Sequence, residues 1–515
     1  MLSRRDLLAA FLGAPFAALA CKREPRVELP PGAIVGASDS VGHRLRAPIT
    51  EVPGEWTSED VVIVGAGVAG LAAAWRLGGN PLVLELEEVA GGTARSGSSR
   101  VTSYPWGAHY VVAPMAENEV LIKLLREMSI IDSRGEIEEQ CLVRDPQERL
   151  FYRGRWYEGL YLTAGASDDD LRQLRAFEEE IARWAAWRDG KGRRAFVIPT
   201  ALASDDAEVL ALDRMTMREW LDAKGWHSPR LRWFVEYGCR DDYGALLDDT
   251  SAWAGVFYFA SRIEAPGKRS EPMITFPEGN ARLIAHLGRN ARIDTGWLVT
   301  SLIPTDASVD VVALSRDGRH LRGIHAKKVI FAAPQFIAAR VIRGYDRDVS
   351  GFTYGSWLVA NLTLRDRPQS LGFPLAWDNV MYDSPSLGYV VATHQSDVER
   401  GPTVITYYHA LCDRDPRRSR ERLLSAGRDE WAEVALADLS RAHRDIRALT
   451  ERLDVMRWGH AMIRPHPGFI TSPARRAAGE PFRNIHFAHC DLSGVALFEE
   501  SLWQGVRAAT ECASS

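Results

Sequence analysis

DVVIVGAGVAGLAAAWRLGGNPLVLELEEVAGG, Asp60 to Gly92, is the stretch whose reading decides the fold. An apolar run, Val61 to Val64, leads straight into Gly65-Ala66-Gly67-Val68-Ala69-Gly70, and Leu71 to Leu77 then reads as a helix. In a strand–turn–helix unit the first glycine permits the tight turn, and the second lets the backbone approach a pyrophosphate. The third lets helix pack close on strand, while the helix N-terminus offers unpaired N–H groups to negative charge. A second strand, Pro81 to Leu84, ends at Glu85, twenty positions beyond Gly65. A carboxylate at that spacing accepts hydrogen bonds from a ribose. A plain glycine-rich turn in an αβ unit does not require these four features in register. The stretch is a dinucleotide site, with Gly65, Ala66, Gly67, Ala69, Gly70 and Glu85 as its first contacts.

The next residues narrow the dinucleotide. Gly91-Gly92-Thr93-Ala94-Arg95-Ser96 follows Glu85 closely, and Tyr104-Pro105-Trp106-Gly107-Ala108-His109-Tyr110 comes soon after. The pattern resembles the FAD-binding start of the flavin amine oxidase superfamily, which includes monoamine and polyamine oxidases, protoporphyrinogen oxidase and phytoene-desaturase-like enzymes. The resemblance implies FAD rather than NAD. It places Gly91 and Gly92 along the ribityl–diphosphate arm and Gly107, Ala108 and His109 beside the isoalloxazine. Thr93 stands where the family usually has arginine, which leaves Arg95 as the candidate for diphosphate recognition.

Working outward, 515 residues exceed one compact core and predict two or three lobes. With 46% hydrophobic and 25% charged residues the chain is an ordinary globular protein. The net charge of −5 leaves no basic surplus for phosphates, so nucleic acid is excluded as the main partner. At the N-terminus, Arg4-Arg5 precedes an apolar stretch, Leu7 to Ala20, closing on Ala18-Leu19-Ala20. That is a signal peptide of the twin-arginine type over residues 1–21, too short to span a bilayer, which needs about 20 apolar residues. It predicts recognition by the twin-arginine export machinery and a periplasmic or exported protein. Cys21 is a candidate for acylation and membrane tethering, although Ala18 holds the place where a lipobox normally has leucine. The other cysteines, Cys141, Cys239, Cys412, Cys490 and Cys512, are scattered and form no CxxC pair, so neither a disulfide framework nor a metal site is read. Residues 22–58, rich in proline and glycine, read as a linker with little structure of its own.

From Val111 to about Arg269 the pattern is mostly helical. Ser167-Asp168-Asp169-Asp170 reads as a capping box, and Leu171, Leu174, Phe177, Ile181 and Trp184 share one helical face. The cluster Arg240 to Tyr243 breaks the pattern and reads either as cavity lining or, more blandly, as a loop held by its own Asp–Arg pairs. Pro277-Glu278-Gly279-Asn280 resembles the family's Pro-x-Gly-Gly turn, with Asn280 expected to adopt left-handed angles. Alternating strands follow through Val309 to Leu314 and Leu321 to Ile324, closing on Val329 to Pro334. The resemblance sets the Val299 backbone against the adenine. Later strands are expected at Trp357 to Leu364, Leu387 to Thr393 and Thr403 to His409, with one long charged helix from Arg417 to Ala442. The family's usual lysine beside flavin N5 has no counterpart in Tyr354 to Val359. Asn484 to Asp491 resembles the family's last strand, with His489 in place of glycine and Asp491 as the acid. Glu500 to Ala509 matches the closing helix, whose dipole would stabilise negative charge on reduced flavin. Cys490 is a candidate covalent flavin anchor, against the default of a small buried hydrophobe.

The expected architecture is therefore α/β: a Rossmann-like FAD-binding domain (59–112, 272–334 and 480–515) with a discontinuous substrate domain (113–271 and 335–479) of mixed sheet plus helices. The expected activity is hydride transfer from a small organic substrate, such as an amine, to flavin, with oxygen or a quinone-like electron acceptor. The alternatives are a desaturase- or isomerase-like flavoenzyme on an apolar substrate and a non-enzymatic escort module. His109, Trp357, Trp458, His460 and His489 are the residues expected to line the flavin; packing is their default role and none is assigned as a base.

Overall fold

The computed structural model describes residues 28–36, 39–47, 49, 51–264, 272–396 and 398–514. The expected signal peptide, with its paired arginines and Cys21, lies outside the described residues. No helix among the described residues is long and apolar enough to cross a membrane.

Two sheets organise the molecule. In the seven-stranded sheet, Trp56–Val64 lies between parallel neighbours Leu82–Glu85 and Leu321–Phe331. Arg292–Thr295 extends one edge, and Ile485–Phe487 docks parallel to Val329–Phe331. The antiparallel strands Val309–Ser315 and Trp297–Pro304 complete the other side. Parallel strands covered on both faces must be apolar throughout, which is why their sequences show short continuous runs rather than alternation. The alternation reappears in packing. Ile63, Val83 and Ile330 join one core, with the helix Val68–Leu77, while Val62, Val64, Leu82 and Phe331 join another on the opposite face. The helix Phe498–Ser514 lies against Val68–Leu77, and a Cβ at Gly505 would fall 2.2 Å from the Ala69 carbonyl oxygen. Only glycine permits that approach. The helix Glu119–Glu127 also buries Leu121, Leu124 and Leu125 in this core.

The eight-stranded sheet runs in the order Ile34–Val35, Thr450–Ile463, Tyr354–Leu364, Thr403–Leu411, Gly388–Val391, Asp378–Met381, Glu148–Tyr152, Arg155–Glu158. One face, carrying Leu358, Leu362 and Leu453, packs on helices Pro416–Ser425 and Arg428–Ser440 through Leu423, Trp431 and Leu436. The other face, carrying Trp357, Val359, Tyr408 and Met456, turns towards Tyr104 and Trp106. A helical lobe of Asp168–Ala186, Met217–Ala223, Pro229–Tyr243 and Ala252–Ala260 shares a third core, and Ser167 closes the expected capping box with Asp170.

Four local expectations differ from the structure. The described part of residues 22–58 is not a plain linker: Ile34–Val35 pairs with Val455–Met456 and Trp56 opens a core strand. The long helix at 417–442 is two, because Gly427 is extended (φ −77°, ψ 173°) and caps the second. Glu148–Tyr152 and Arg155–Glu158 are strands inside the segment read as helical. Arg240–Tyr243 is the last turn of a helix ended by left-handed Gly244, not a loop, and its internal Asp–Arg pair does not form. Asp242 instead takes a two-pronged bond from Arg262 (3.0 and 2.8 Å), and Arg240 Nη1 donates to the Pro385 carbonyl (3.1 Å).

Candidate functional site

The nucleotide loop is built from main chain. Gly65 (φ 99°) donates its N–H to the Leu84 carbonyl (2.8 Å), and a Cβ at Gly70 would stand 1.9 Å from the Gly65 oxygen. Gly67 caps the helix Val68–Leu77 without any side-chain bond, and a Cβ there would meet no atom within 4 Å. The first-turn N–H groups thus have no side-chain cap, and the Gly67 Cβ position is open, an arrangement that suits an anionic diphosphate. Glu85, 9% exposed, accepts from the Ala66 N–H (2.7 Å) and the Glu87 N–H (2.9 Å). Burial raises its pKa, and those two donors oppose the rise. Gly91 (φ 120°) donates to the Ala66 carbonyl (2.7 Å), which draws the second glycine pair, Gly91-Gly92, against the first loop.

Arg95 lies beneath this loop. Its guanidinium stacks over Trp458 (5.0 Å), its Nη2 meets Met456 Sδ (3.3 Å), and its Nε is buried without an acceptor. A buried donor without a partner costs free energy unless a ligand supplies the acceptor. Free loop N–H groups, the ribose-ready carboxylate and this orphaned guanidinium together fit a dinucleotide.

The segment Tyr104–Tyr110 is clamped from both sheets. Three successive carbonyls, Pro105, Trp106 and Gly107, accept from Asn361 Nδ2 (3.0 Å), Trp458 Nε1 (2.6 Å) and the Tyr408 hydroxyl (2.9 Å). From the cofactor side, Ala108 donates to the Thr93 carbonyl (2.9 Å), and a Cβ at Gly107 would lie 2.2 Å from that same oxygen. Asn280 is not left-handed (φ −69°); Gly279 (φ 61°) makes the turn, and the Asn280 amide donates to the Tyr110 carbonyl (2.9 Å). His109 stacks on Tyr408 (ring centroids 5.1 Å, 23°) and touches Trp377 (5.3 Å). Burial pulls its pKa down to about 4, so it is neutral at pH 7. Trp357 stands opposite Trp458 in the sheet and edge-on to Tyr408 (6.2 Å).

Beyond His109 the wall turns acidic. Glu148 and Asp378 are directly paired on neighbouring parallel strands. Asp378 accepts from the Tyr237 hydroxyl (3.0 Å), and Asp241, one helical turn after Tyr237, accepts from the Tyr258 hydroxyl (3.3 Å). Tyr110, edge-on to Trp377 (5.8 Å), links the group to His109. Burial raises the pKa of Glu148 to about 7. Burial, then repulsion from Asp242, does the same for Asp241; Asp378 is pushed well up by burial, Glu148 and Asp241. Asp241 has one hydroxyl donor and Asp378 a hydroxyl and the Asn379 N–H, and among the described residues no ion pair reaches Glu148, Asp241 or Asp378. Of the group only Asp241 lies in a cluster that stands out in the sequence; Glu148, Asp378, Tyr237, Tyr258 and Tyr408 carry no local signature.

The remaining site residues gather elsewhere. Asp491 is fully buried and accepts from the Gln335 N–H (3.0 Å) and the Tyr354 hydroxyl (2.5 Å), with His489 Nδ1 2.9 Å away. Burial opposes both charges, but each holds the other ionised: Asp491 falls below and His489 rises well above its ordinary pKa. Cys490 Sγ lies 3.7 Å from His489 Nδ1, and His489, Cys490 and Asp491 offer ligand atoms within 4.8 Å of one another. His460 stacks on Phe336 (4.4 Å) and stays neutral, its pKa lowered to about 3 by burial and then by Arg420. Thus Trp357 and Trp458 belong with the Tyr104–Tyr110 segment that carries His109, while His460 and His489 belong with Asp491. Glu500 accepts from the Thr200 N–H (2.6 Å) and hydroxyl (3.1 Å), and Glu499 from the Val112 N–H (3.1 Å); burial raises both to about 7. Glu500 therefore bolts the closing helix to the helical lobe. Val299 sits in the strand Trp297–Pro304 beside a bulge at Thr300. The five cysteines among the described residues are free thiols.

Residues 63–128 match the family described as NAD(P)-binding Rossmann-like domain. Curated proteins give no match. Among solved structures, wild-type putrescine oxidase bound to putrescine aligns over 90% of this chain and 100% of its own, at 15% identity and TM-score 0.63. Cyclohexylamine oxidase from Brevibacterium oxydans IH-35A aligns over 88% and 98%, at 17% identity and TM-score 0.61. A CLA-producing fatty acid isomerase from P. acnes aligns over 88% and 98%, at 14% identity and TM-score 0.61. The class that fold and site define is a dinucleotide-binding α/β protein built on two large sheets. More particularly, the chain has the fold shared by these amine oxidases and this isomerase.

Proposed function

We propose that the protein is an exported FAD-dependent oxidoreductase of the amine oxidase type, acting on a small substrate that carries a cationic nitrogen. The observation that carries the substrate class is the acidic, tyrosine-walled group Glu148, Asp241 and Asp378, set beside the His109–Tyr408–Trp377 stack. Raised carboxyl pKa values express an unmet demand for positive charge, and an ammonium ligand meets it. Arg262 pairs with Asp242 and, of the other three acids, eases only Asp241.

Gly65–Gly70, Gly91 and Gly92 would bind the diphosphate, Glu85 the ribose, Arg95 a phosphate oxygen, and Thr93 with Gly107–His109 the arm leading to the ring system. The chemistry supplied there by bound FAD is acceptance of a hydride from the substrate carbon and delivery of two electrons to oxygen or a quinone-like acceptor. The chain's own part is positional. Asn361, Trp458 and Tyr408 hold the Tyr104–Tyr110 segment; neutral His109 and Tyr408 present flat faces; and the carboxyls hold the substrate nitrogen and can accept the proton an ammonium must lose. Asp491 stays ionised beside His489 and fixes Gln335 and Tyr354. Export by the twin-arginine route, with Cys21 as a tether, completes the reading.

The absent lysine at Tyr354–Val359 favours a second reading, a desaturase or isomerase of an apolar substrate. The deciding experiment is anaerobic: flavin absorbance is followed while amines, then polyenes and porphyrinogens, are added. Bleaching by an amine supports the first reading, and bleaching only by an apolar substrate replaces it with the second. A flavin that no substrate reduces leaves the escort module.

A further inference from the structure

The residues just before the cofactor sheet touch both halves of the molecule along one path. The Leu453 and Val455 N–H groups donate to the Pro31 and Ala33 carbonyls (both 2.9 Å), and the Ala33 N–H donates to Asp454 Oδ1 (2.9 Å). Ile34–Val35 then adds an edge strand beside Val455–Met456. At Gly36 the backbone turns (φ 86°), and a Cβ there would stand 2.3 Å from Met456 Cε and 2.5 Å from Arg95 Nη2. The main chain is thus seated on the guanidinium that faces the nucleotide loop. Asp39 next approaches Arg457 (3.8 Å). A Cβ at Gly42 would lie 3.8 Å from Leu86 Cδ2, on the residue following Glu85, and Arg44 Nη1 lies 2.9 Å from the Cβ position of Gly318. Two guanidinium donors on this path, Arg95 Nε and Arg44 Nη1, are buried without acceptors.

We propose that residues 28–36 and 39–47 form a strap that closes over the bound dinucleotide, so that the cofactor enters before the strap seats and leaves only when it lifts. The inference rests on the dinucleotide reading and adds to it a fourth cofactor-holding segment, with Gly36 on Arg95 as the point of closure. The strap is attached at one sheet edge and by one long ion pair: three hydrogen bonds to Leu453–Val455, a two-residue strand and Asp39–Arg457, a set that can open locally without unfolding either sheet. Such an element sets the rate of exchange rather than the shape of the site.

Two measurements on the full chain test this. Backbone hydrogen exchange at Ile34 to Leu45 is compared between the flavin-bound and flavin-stripped protein, and bound flavin is expected to slow it at least ten-fold. Gly36→Val, which collides with Arg95 and Met456, is expected to raise the flavin release rate at least ten-fold with an unchanged far-UV circular dichroism spectrum. If that variant fails to fold, Asp39→Ala takes its place with a smaller expected acceleration. Equal exchange in the two states, or unchanged release from a folded variant, overturns the strap while leaving the flavin site intact. A chain that takes up no flavin sinks the cofactor reading and the strap together.

Discussion

The nucleotide half and the substrate half of the site meet their polar demands in opposite ways. Around Glu85 the demand is satisfied in advance, by the Ala66 and Glu87 N–H groups and by a helix end left free for phosphate. Around Asp241 it is left open: of three carboxyls, Asp378 and Asp241 each take one tyrosine hydroxyl, and the nearest cation is bound to Asp242. A site made of backbone is compact and rigid, and its failure is abrupt. A site made of dispersed side chains is tunable, and its failure is graded.

Glu85→Ala is the harshest test of that contrast. It strips one buried and one partly buried N–H group of their acceptor, a buried donor being worth about 1–3 kcal/mol when left unsatisfied. Flavin affinity should fall on the order of 100-fold, about 2.7 kcal/mol, read as flavin retained through gel filtration. Undiminished retention breaks the ribose assignment. Gly107→Ala comes next. Its Cβ would press on the Thr93 oxygen at 2.2 Å, a main-chain atom that cannot swing away. Overpacking of this kind costs about 1–3 kcal/mol, so the melting temperature and flavin content should fall together.

Glu148→Gln probes the open half, where the effect should be smaller and should depend on pH. A carboxyl whose folded pKa is raised to about 7 weakens the fold as pH climbs from its unfolded value through 7, and costs nothing while protonated. The variant should therefore be more stable than the parent at pH 8, by about 1 kcal/mol, and equal to it at pH 4. Its KM for an amine should rise about ten-fold at pH 8, about 1.4 kcal/mol, with kcat nearly unchanged. A KM that is insensitive at every pH would remove Glu148 from the substrate site.

The same contrast explains what could be read from the chain. Glycine spacing reports backbone geometry directly, so the loop at Gly65–Gly70 and Glu85 was legible as a dinucleotide unit before any coordinates. The closing helix was legible too, but Gly505 could not show that its partner would be Ala69. Asn280 was read through its backbone tolerance, whereas Gly279 takes the left-handed angle and Asn280 works through its amide. The substrate wall left no such trace. Glu148 and Asp378 face each other because two parallel strands pair in one register, and parallel pairing joins segments remote in sequence. A strand embedded in a helical stretch, such as Glu148–Tyr152, is stabilised by its neighbours rather than by its own pattern.

Tyr408→Phe carries the smallest expected effect and the finest discrimination. The hydroxyl donates to the Gly107 carbonyl (2.9 Å), while the ring stacks on His109 (5.1 Å). Phenylalanine keeps the stack and removes the bond. Two neighbouring carbonyls, Pro105 and Trp106, remain held by Asn361 and Trp458, so the segment stays in place. The loss should be about 1 kcal/mol or less, seen as a fall of a few-fold in kcat and a slight shift of the flavin band. Tyr408→Ala removes the stack as well and should cost more. If the phenylalanine variant instead lost flavin as completely as Glu85→Ala, the clamp on Gly107 would belong to the abrupt half of the site. The division would then run through His109 rather than beyond it.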